Sequence, residues 1–432
     1  MSVAIVGSGP AGFYTAEALL RAGDDVRVDI IERLPTPFGL IRGGVAPDHA
    51  KTKNVARAYA KTALNPAVRF YGNVTLGRDI TLDTLTEIYD AVVLATGAPH
   101  DRPLAIPGAD KTGVYGAAAF VGWYNGHPDF HDLNPDLDTE AAVVIGIGNV
   151  AVDIARILVK TPEEMTGTDI TDDAAAAIRA APLVDVIMFG RRGPLQAKFS
   201  NVELREMGAL ADACPVLDAA QLPEHVDAAL SDRDRRMAER NLETLRAFST
   251  MKPAGRRKRV HFRFFSNPVE VLGGAHVEGL RLERTVVEDG RAVGTGEYFE
   301  IPCGLVLCAI GYHSDPIPGV PFDEKRGIVA NRDGRVAPRV YVVGWAKRGP
   351  SGVIGSNKPD GLNAAEQIRA DIAAGGKPGR EALESRLAAK RVRWVSYEDW
   401  QRIDAAEIAA AAPGAPRRKF TTIADMLAVL DR

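Results

Sequence analysis

The first twelve residues constrain the fold of this chain more than any other stretch. An apolar run at residues 3–6 leads directly into Gly7-Ser8-Gly9-Pro10-Ala11-Gly12, the pattern Gly-x-Gly-x-x-Gly. A short apolar run that ends in glycines is typical of a buried parallel strand, and the following residues have helical spacing. In such a turn Gly7 permits the tight bend, Gly9 lets the backbone approach a pyrophosphate, and Gly12 lets the helix pack closely on the strand. Because the unpaired amides of a helix N-terminus favour anions, the pattern predicts a dinucleotide site.

An acidic residue at the correct distance strengthens this prediction. A second apolar strand is predicted at residues 26–31, and it ends at Glu32, twenty residues after Gly12. A carboxylate at this offset accepts a hydrogen bond from a ribose hydroxyl in this fold. The alternative is an ordinary strand–helix turn that binds nothing. The strand, the helix and the acid together favour the dinucleotide.

Composition limits the class of protein. A chain of 432 residues is too long for one small core, and 46% hydrophobic with 25% charged residues is typical of globular proteins. A net charge of −3 argues against general binding to nucleic acids. No apolar stretch approaches the length of a membrane span, and the first strand begins at Val3, which leaves no room for a signal peptide. We therefore expect a cytoplasmic enzyme, although a processed organelle protein would look the same.

The three cysteines exclude two kinds of site. Cys214, Cys303 and Cys308 are too few for an iron–sulfur cluster held by four cysteines. None of them forms the Cys-x-x-Cys pair that a disulfide reductase needs. Cys303 and Cys308 flank an apolar run and are predicted to be buried packing residues.

The strand–turn–helix pattern then occurs a second time. The apolar residues 142–145 lead into Gly146-x-Gly148-x-x-Ala151, in which an alanine replaces the third glycine, a variant that the fold allows. Two dinucleotide folds in one chain predict two dinucleotides, one held permanently and one exchanged.

The second strand of the second unit ends differently from the second strand of the first unit. The predicted strand at residues 184–190 is followed by Arg191-Arg192 instead of an acid. Arginines at this position pair with the 2′-phosphate of NADP, whereas a carboxylate would suit NAD. The alternative is that the arginines lie in solvent at a sheet edge. The position at the strand end favours NADP.

The remaining stretches predict the domain organisation. We expect residues 1–107 to form the first part of one domain, residues 108–314 an inserted NADP-binding domain, and residues 315–432 the rest of the first domain with a C-terminal tail. The pattern also predicts a loop without a long helix at residues 35–49, a helix at 51–63, strands at 68–71 and 73–76, a mainly helical stretch at 161–254, and a helix at 362–374.

Two basic runs stand out in a chain of slightly negative charge. The run Arg233–Arg246 is interspersed with acids, and the run Arg256–Arg263 has none. Either run is a candidate landing site for an acidic partner. For the first run a solvated helix face is an equally good interpretation.

The motifs, taken together, resemble the adrenodoxin-reductase type of ferredoxin–NADP reductase in its bacterial form. The matching stretches run in order over nearly the whole chain: 7–12, 35–49, 122–128, 146–153, 190–196, 202–206, 344–355, and a tail with Trp400, Asp404 and Arg418-Lys419-Phe420. The segment Gly-Trp-x-Lys-Arg-Gly-Pro-x-Gly-Val-Ile-Gly is especially specific. One departure is Gly43, where relatives often carry a larger residue.

The resemblance implies an α/β protein with two Rossmann-like, doubly wound parallel-sheet domains in the glutathione-reductase-like flavoprotein architecture. It implies that FAD accepts a hydride from NADPH and passes single electrons to a ferredoxin, with a cytochrome P450 or a similar acceptor downstream. The implied FAD residues are Ala11, Glu32, Leu40, Leu76, Trp345, Gly352, Val353 and Ile354, and the implied NADP residues are Arg102, Gly148, Asn149, Val150, Ala151, Arg191, Arg192, Glu203 and Gly352. His49 and Glu206 match polar residues near the nicotinamide and flavin. No metal is expected.

Three interpretations differ in chemistry. The main one is an NADPH–ferredoxin reductase whose acidic ferredoxin docks at the two basic runs. An NADPH-dependent flavin oxidase or monooxygenase would share both folds, and a non-catalytic NADP(H) sensor would bind the nucleotide without reducing an acceptor. His49 is equally consistent with a structural loop histidine, and Glu203 and Glu206 with a solvated helix face.

Overall fold

The structure is a computed structural model that describes residues 1–23, 25–226, 231–372 and 375–431. The strands in chain order are β1 (Ser2–Val6), β2 (Arg27–Ile31), β3 (Val68–Tyr71), β4 (Ala91–Leu94), β5 (His100–Asp101), β6 (Val114–Gly116), β7 (Ala141–Ile145), β8 (Asp185–Phe189), β9 (Ala213–Leu217), β10 (Lys258–Arg263), β11 (Ser266–Leu272), β12 (Gly279–Glu288), β13 (Arg291–Pro302), β14 (Leu305–Cys308), β15 (Tyr312–His313), β16 (Phe322–Asp323), β17 (Ile328–Val329), β18 (Arg335–Ala337) and β19 (Val340–Val342). The α-helices are α1 (Pro10–Ala22), α2 (Leu40–Gly43), α3 (Ala50–Lys53), α4 (Ala56–Ala63), α5 (Leu82–Ile88), α6 (Ala117–Asn125), α7 (Asn149–Val159), α8 (Pro162–Met165), α9 (Asp172–Ala180), α10 (Asn201–Glu206), α11 (Asp232–Thr250), α12 (Trp345–Arg348), α13 (Asn357–Asp371), α14 (Arg380–Ala389), α15 (Tyr397–Ala409) and α16 (Ile423–Ala428).

The chain divides into two compact units. The first comprises Met1–His100, Asn125–His131 and Gly311–Arg432, and the second comprises Asp101–Tyr124 and Asp132–Ile310. The sequence predicts borders after residues 107 and 314, whereas the units divide after residues 100 and 310. The short segment Asn125–His131 also returns to the first unit, which local sequence patterns do not reveal.

The first unit is built on a six-stranded sheet in the order β18-β19-β4-β1-β2-β3. All neighbours pair in parallel except β18, which lies antiparallel to β19 at the edge. Because side chains alternate along a strand, Val3 and Ile5 of β1 join the core under α1, α4, α13 and α15, while Ala4 and Val6 join the core under α5 and α14. The sheet is therefore covered on both faces, as in a doubly wound fold.

A glycine permits two helices of this unit to approach each other closely. A Cβ on Gly361 of α13 would lie 2.8 Å from the backbone of Tyr14 and Thr15 in α1. Any side chain there would separate the two helices, so the sequence requires glycine at this point.

The second unit contains an all-parallel sheet in the order β6-β14-β7-β8-β10-β9 and a three-stranded antiparallel sheet β11-β12-β13. Val143, Ile145, Ile187 and Phe189 of the parallel sheet share one apolar core with side chains of β11 and β12. Both units therefore place a glycine-rich turn at the carboxyl end of a buried central strand, where open parallel sheets bind ligands.

One local prediction was wrong, and two strands were not predicted. Residues 73–76 form no strand, since Asn73 has a φ of 60° and the local pairing is a single bridge between Leu76 and Ile80. The stretch 161–254 contains strand β9, and the basic run 256–263 contains strand β10, whose buried side chains are Val260 and Phe262. Two apolar residues among cations are too weak a period-2 signal to reveal a strand.

The helix predicted at 362–374 begins earlier, at Asn357. Pro359 suggests a break in the sequence, but it lies in the first helical turn, where a missing N–H is tolerated. The predicted end of this helix at Ala374 lies outside the described residues. In the described part of the chain, no helix is both long and apolar enough to cross a bilayer.

Candidate functional site

In the glycine turn of the first unit, one of the three glycines has empty space where a side chain would lie. A Cβ on Gly7, whose φ is 108°, would lie 2.3 Å from the Ala95 carbonyl oxygen, and one on Gly12 would lie 2.2 Å from the Gly7 oxygen. A Cβ on Gly9 would meet no atom within 4 Å. Two glycines are thus needed for packing, and the third lines open space at the N-terminus of α1. This geometry fits a pyrophosphate on the helix amides.

Glu32 is held against this turn. Its carboxylate accepts hydrogen bonds from the Ser8 N–H at 3.0 Å, the Ser8 hydroxyl at 2.6 Å and the Leu34 N–H at 3.1 Å. Glu32 therefore orients the glycine turn and lines the cleft beside it. The contact with Ser8 is one that the sequence did not predict, because the ribose interpretation accounts for Glu32 alone.

The loop after β2 closes over the turn. Phe38, at a φ of 84°, donates its N–H to the Ser8 oxygen, and a Cβ on Gly39 would lie 3.0 Å from the Cα of Gly9. This close approach requires glycine at position 39. It places Leu40, 41% exposed at the start of α2, beside the open face of the turn. Leu76 is half-buried in the irregular segment after β3.

The Gly-Trp-x-Lys-Arg segment has a structural explanation. Lys347 and Arg348 of α12 both pair with Asp360 of α13, and Asp360 also accepts the N–H of Gly344. The Trp345 indole donates to the Ser351 oxygen at 3.2 Å. The two cations therefore fix the turn that carries Trp345.

The chain after this turn passes through Gly352, Val353 and Ile354, and the first two of these residues are exposed. Gly352 has a φ of 83°, and Val353 is 66% exposed. An exposed backbone with an exposed valine is consistent with the expected ring contact.

The C-terminal tail is tied to the loop that carries Leu40. Arg42 forms a bidentate ion pair with Glu407 of α15, with N–O distances of 2.8 and 2.5 Å, and lies over the Trp400 ring. Burial alone would raise the pKa of Glu407, but Arg42, the Phe420 N–H and Arg417 together hold that pKa below its ordinary value. The carboxylate is fully buried and ionised, so this pair connects the tail to the loop. No short-range sequence pattern reveals it.

His127 packs against the same loop. A Cβ on Gly43 would lie 2.9 Å from the His127 ring, so the ring occupies the space that a larger residue at 43 would need. Asp129 donates its N–H to His127 Nδ1 at 3.2 Å and is itself paired with Arg33. Because Nδ1 accepts, the neutral ring carries its proton on Nε2. Burial lowers the pKa of His127 to about 4, against the opposing charge of Asp129.

His49 lies at the end of this loop. It is half-buried and precedes the first residue of α3, with its N–H donated to the Ala46 oxygen. Its position in the first unit is defined, whereas its expected role in proton handling stays a prediction.

The second glycine turn repeats the geometry of the first. A Cβ on Gly146, at a φ of 139°, would lie 2.3 Å from the Ala309 oxygen, while one on Gly148 would meet no atom within 4 Å. Ala151 is fully buried, so its methyl group fits where the first unit has glycine. Val150 lies in the first turn of α7, whose N-terminus borders the open position.

The chain after the arginine pair returns to this turn. Asn149 Oδ1 accepts the Ser200 N–H at 2.7 Å, and Lys198 donates its N–H to the Ile147 oxygen. These bonds fix the segment between β8 and α10 beside the glycine turn. The site is therefore bordered by a second backbone segment.

The two arginines differ in exposure. Arg191 is exposed, while Arg192 is half-buried and donates to the Gly290 oxygen at 3.3 Å. The Arg191 oxygen accepts the Thr285 hydroxyl, which holds the pair at the end of β8. The sequence predicts that this pair binds a 2′-phosphate, and that role stays a prediction.

Glu206 interacts with a buried arginine. Arg156 of α7, whose side chain is 1% exposed, pairs with Asp153 at 2.7 Å and with Glu206 at 3.6 Å. Glu206 is thus held by a positive charge and is not simply a solvated residue. Glu203 is half-buried, and its N–H is donated to the Ser200 hydroxyl in the first turn of the same helix. Arg102 is half-buried near the start of the second unit.

The basic runs are less positive than the sequence suggests. Arg257 pairs with Asp212 and Arg259 with Asp185, and Lys258 donates to the Leu158 oxygen. Asp185 lies on the neighbouring strand β8 and Asp212 directly precedes β9, which is why the run appears uncompensated in sequence. On α11, Arg246 donates to backbone oxygens of residues 223 and 224, and the side chain of Arg233 lies outside the described residues.

Cys303 and Cys308 are buried packing residues, as predicted. Cys214, Cys303 and Cys308 are buried thiols. Burial raises the pKa of both Cys303 and Cys308 to about 12, so neither is reactive at neutral pH.

Comparison with known proteins agrees with this geometry. The model of the pyridine nucleotide-disulphide oxidoreductase family matches residues 1–181. The NADPH-ferredoxin reductase FprA of Mycobacterium tuberculosis is 42% identical over 99% of this chain and 98% of its own length. The mitochondrial NADPH:adrenodoxin oxidoreductase of Homo sapiens is 43% identical over 99% of this chain and 91% of its own length.

The structural comparison gives the same result. The solved structure of Mycobacterium tuberculosis FprA in complex with NADPH matches with a TM-score of 0.94 at 42% identity, covering 99% of both chains. Because the identity extends over the full length, this chain and these relatives share the same architecture with its two nucleotide folds. The chain therefore belongs to the family of NADPH–ferredoxin reductases of the adrenodoxin-reductase type, in its bacterial form.

Proposed function

We propose that this protein oxidises NADPH and passes the electrons one at a time to a ferredoxin. One observation carries the proposal. Each unit has a glycine turn with an open middle position, and the two turns lie beside opposite charges, Glu32 in the first unit and Arg191-Arg192 in the second. A relative that matches over its whole length bears the name NADPH-ferredoxin reductase.

The first unit fits FAD. The N-terminus of α1 and the open space at Gly9 would hold the pyrophosphate, and Glu32 would accept from a ribose hydroxyl while keeping its bonds to Ser8. Leu40, Leu76, Trp345 and residues 352–354 would supply apolar and backbone contacts. When bound, FAD supplies the step between a two-electron donor and a one-electron acceptor.

The second unit fits NADPH. Gly148, Asn149, Val150 and Ala151 would hold its pyrophosphate, and Arg191 and Arg192 would pair with the 2′-phosphate. Arg102 and Glu203 would complete the site as the family resemblance implies. We propose His49 and Glu206 as positioning residues of the two units, with Arg156 fixing the position of the Glu206 side chain.

The acceptor is proposed to be an acidic ferredoxin that is attracted by positive charge. The expected docking runs remain part of this proposal. Within Arg256–Arg263 two cations are already paired with acids, so Arg233–Arg246 on α11 is the better candidate of the two. Ferredoxin reduction should weaken with added salt, and a flat salt response would contradict attraction by charge.

The function is tested by anaerobic titration of the purified protein. We expect a yellow protein whose flavin absorbance bleaches at low NADPH and only at higher NADH, and which then reduces an added ferredoxin. Arg191→Gln with Arg192→Gln should raise the NADPH concentration required about 10-fold or more and leave the NADH requirement nearly unchanged.

Two results would contradict the proposal. Rapid NADPH-driven oxygen consumption with no ferredoxin reduction would indicate an oxidase. A protein without bound flavin, or with a flavin that neither nucleotide bleaches, would indicate a nucleotide-binding protein without this activity.

A further inference from the structure

A third basic region lies in the first unit, outside the two runs that the sequence emphasises. Between Asp48 and Asp79 the chain has no acidic residue, and residues 49–78 contain six lysines and arginines. The whole chain carries a net charge of −3, so this is a strong local excess. The region includes helices α3 and α4, which follow directly after the loop that carries Leu40 and His49.

Three of these cations project to solvent. Lys51 lies on α3, and Arg57 and Lys61 lie one helical turn apart on α4. Helix α4 buries Tyr59 and Ala63, which fixes its orientation. Among the described residues none of the three cations has an ion pair or a side-chain hydrogen bond, in contrast to Arg257 and Arg259.

Two acids of the neighbouring helices already have partners. Glu17, the one acid of α1, pairs with Arg21 at 2.6 Å. Asp360 of α13 is shared by Lys347 and Arg348, while Glu366 of the same helix is exposed. The excess of positive charge at the α3–α4 surface therefore rests on the absence of acids between Asp48 and Asp79.

We propose that the α3–α4 surface, formed by Lys51, Arg57 and Lys61, is a docking site for the acidic iron–sulfur protein. This proposal rests on the proposed function and specifies where the partner binds. Unpaired cations attract an acidic partner, and the surface adjoins the loop that closes over the first glycine turn. A partner bound there lies on the unit that would hold the electron donor.

The test uses the flavin-loaded protein and an acidic [2Fe–2S] ferredoxin as the probe. We expect Lys51→Gln, Arg57→Gln and Lys61→Gln combined to raise the KM for this ferredoxin about 10-fold at low ionic strength, because each exposed pair contributes modestly. The fall of kcat/KM with salt should become shallower. The rate at which NADPH bleaches the flavin should not change.

A matched variant controls for overall charge. Lys325→Gln, Lys390→Gln and Arg391→Gln remove the same charge from exposed positions elsewhere in the first unit, and the KM should then change less than about two-fold. An unchanged KM in the α3–α4 variant, or an equal rise in both variants, would overturn the proposal.

Two further outcomes separate this proposal from its alternatives. If NADPH bleaches the flavin but the wild-type protein reduces no ferredoxin, the proposed function fails and the docking site fails with it. If the wild type sediments with vesicles of anionic phospholipid, the α3–α4 variant does not, and the ferredoxin KM is the same in both, then the surface binds membranes and the docking proposal is wrong.

Discussion

At the scale of single residues, the two glycine turns separate folding from binding. Gly7 and Gly146 are needed because a Cβ would collide with a carbonyl oxygen of a neighbouring strand end. Gly9 and Gly148 have space around them, so the fold alone does not require glycine there. The same motif thus contains structural and ligand-facing positions that substitution can distinguish.

We predict that Gly9→Ala leaves the fold intact but weakens FAD binding. Gly9 has a φ of −76° and a ψ of −173°, which alanine adopts without strain, but the methyl group would occupy the space proposed for the pyrophosphate. The thermal midpoint of the flavin-free protein should stay within a few degrees of wild type, while FAD affinity falls about 10-fold or more.

Gly7→Ala is the matched control. Alanine at position 7 would have to adopt a φ of 108°, and its Cβ would lie 2.3 Å from the Ala95 oxygen. The variant should therefore lower the thermal midpoint strongly even without FAD. A Gly9→Ala protein that binds FAD like wild type would place the cofactor elsewhere.

At the scale of elements, the C-terminal tail stabilises the loop of the first site. The connection is the buried Arg42–Glu407 pair, supported by Lys419, which donates to the Arg42 oxygen at 3.3 Å. An ordered tail therefore contributes to the shape of the site although it lies far away in sequence.

We expect Glu407→Gln to destabilise the protein by about 3–5 kcal/mol, because it leaves Arg42 buried without its counter-charge. Chemical denaturation would measure this change. Asp404→Asn on the same helix is the control, since Asp404 is 30% exposed and its pair with Arg417 should contribute less than about 1 kcal/mol. If both variants lose the same free energy of unfolding, the buried Arg42–Glu407 pair stabilises the protein no more than the exposed pair does.

His127 predicts a pH dependence of stability. Its folded pKa of about 4 lies below the ordinary value of 6.5, so the fold favours the neutral ring. This contribution is complete above pH 6.5 and is lost as the pH falls towards 4, by about 3 kcal/mol in total.

His127→Asn tests this contribution because asparagine keeps an acceptor for the Asp129 N–H but does not titrate. Unfolding free energies measured between pH 4 and 6.5 should fall less steeply in the variant than in wild type. Parallel curves for the two proteins would contradict a neutral, buried His127.

At the scale of the whole molecule, two compact units each carry one nucleotide turn. Ligands that bind the folded state stabilise the protein by mass action, about 2.7 kcal/mol at a hundred-fold excess over Kd. We predict that Gly148→Ala abolishes the stabilisation by NADP⁺ in calorimetry and keeps that by FAD. Loss of both effects would mean that the second turn also holds the flavin.

Much of the fold and part of the sites can be predicted from the sequence. Both glycine turns, the acid at Glu32, the arginines at 191 and 192 and the buried cysteines follow from local patterns, because their spacing reflects the geometry of one strand–turn–helix unit. The family resemblance adds Trp345 and the tail. These features are local, so a chain of this sequence displays them before it folds.

Other features depend on contacts between distant parts of the chain. Strand β10 is hidden among cations whose partner acids, Asp185 and Asp212, are distant in sequence, and the Arg42–Glu407 pair joins residues 365 positions apart. The space beside Gly9 is open or closed according to which parts of the chain fold around it. The sequence by itself determined which units form and which nucleotides suit them. Only the tertiary structure decided which charges stay unpaired, because pairing depends on neighbours that the linear order does not show.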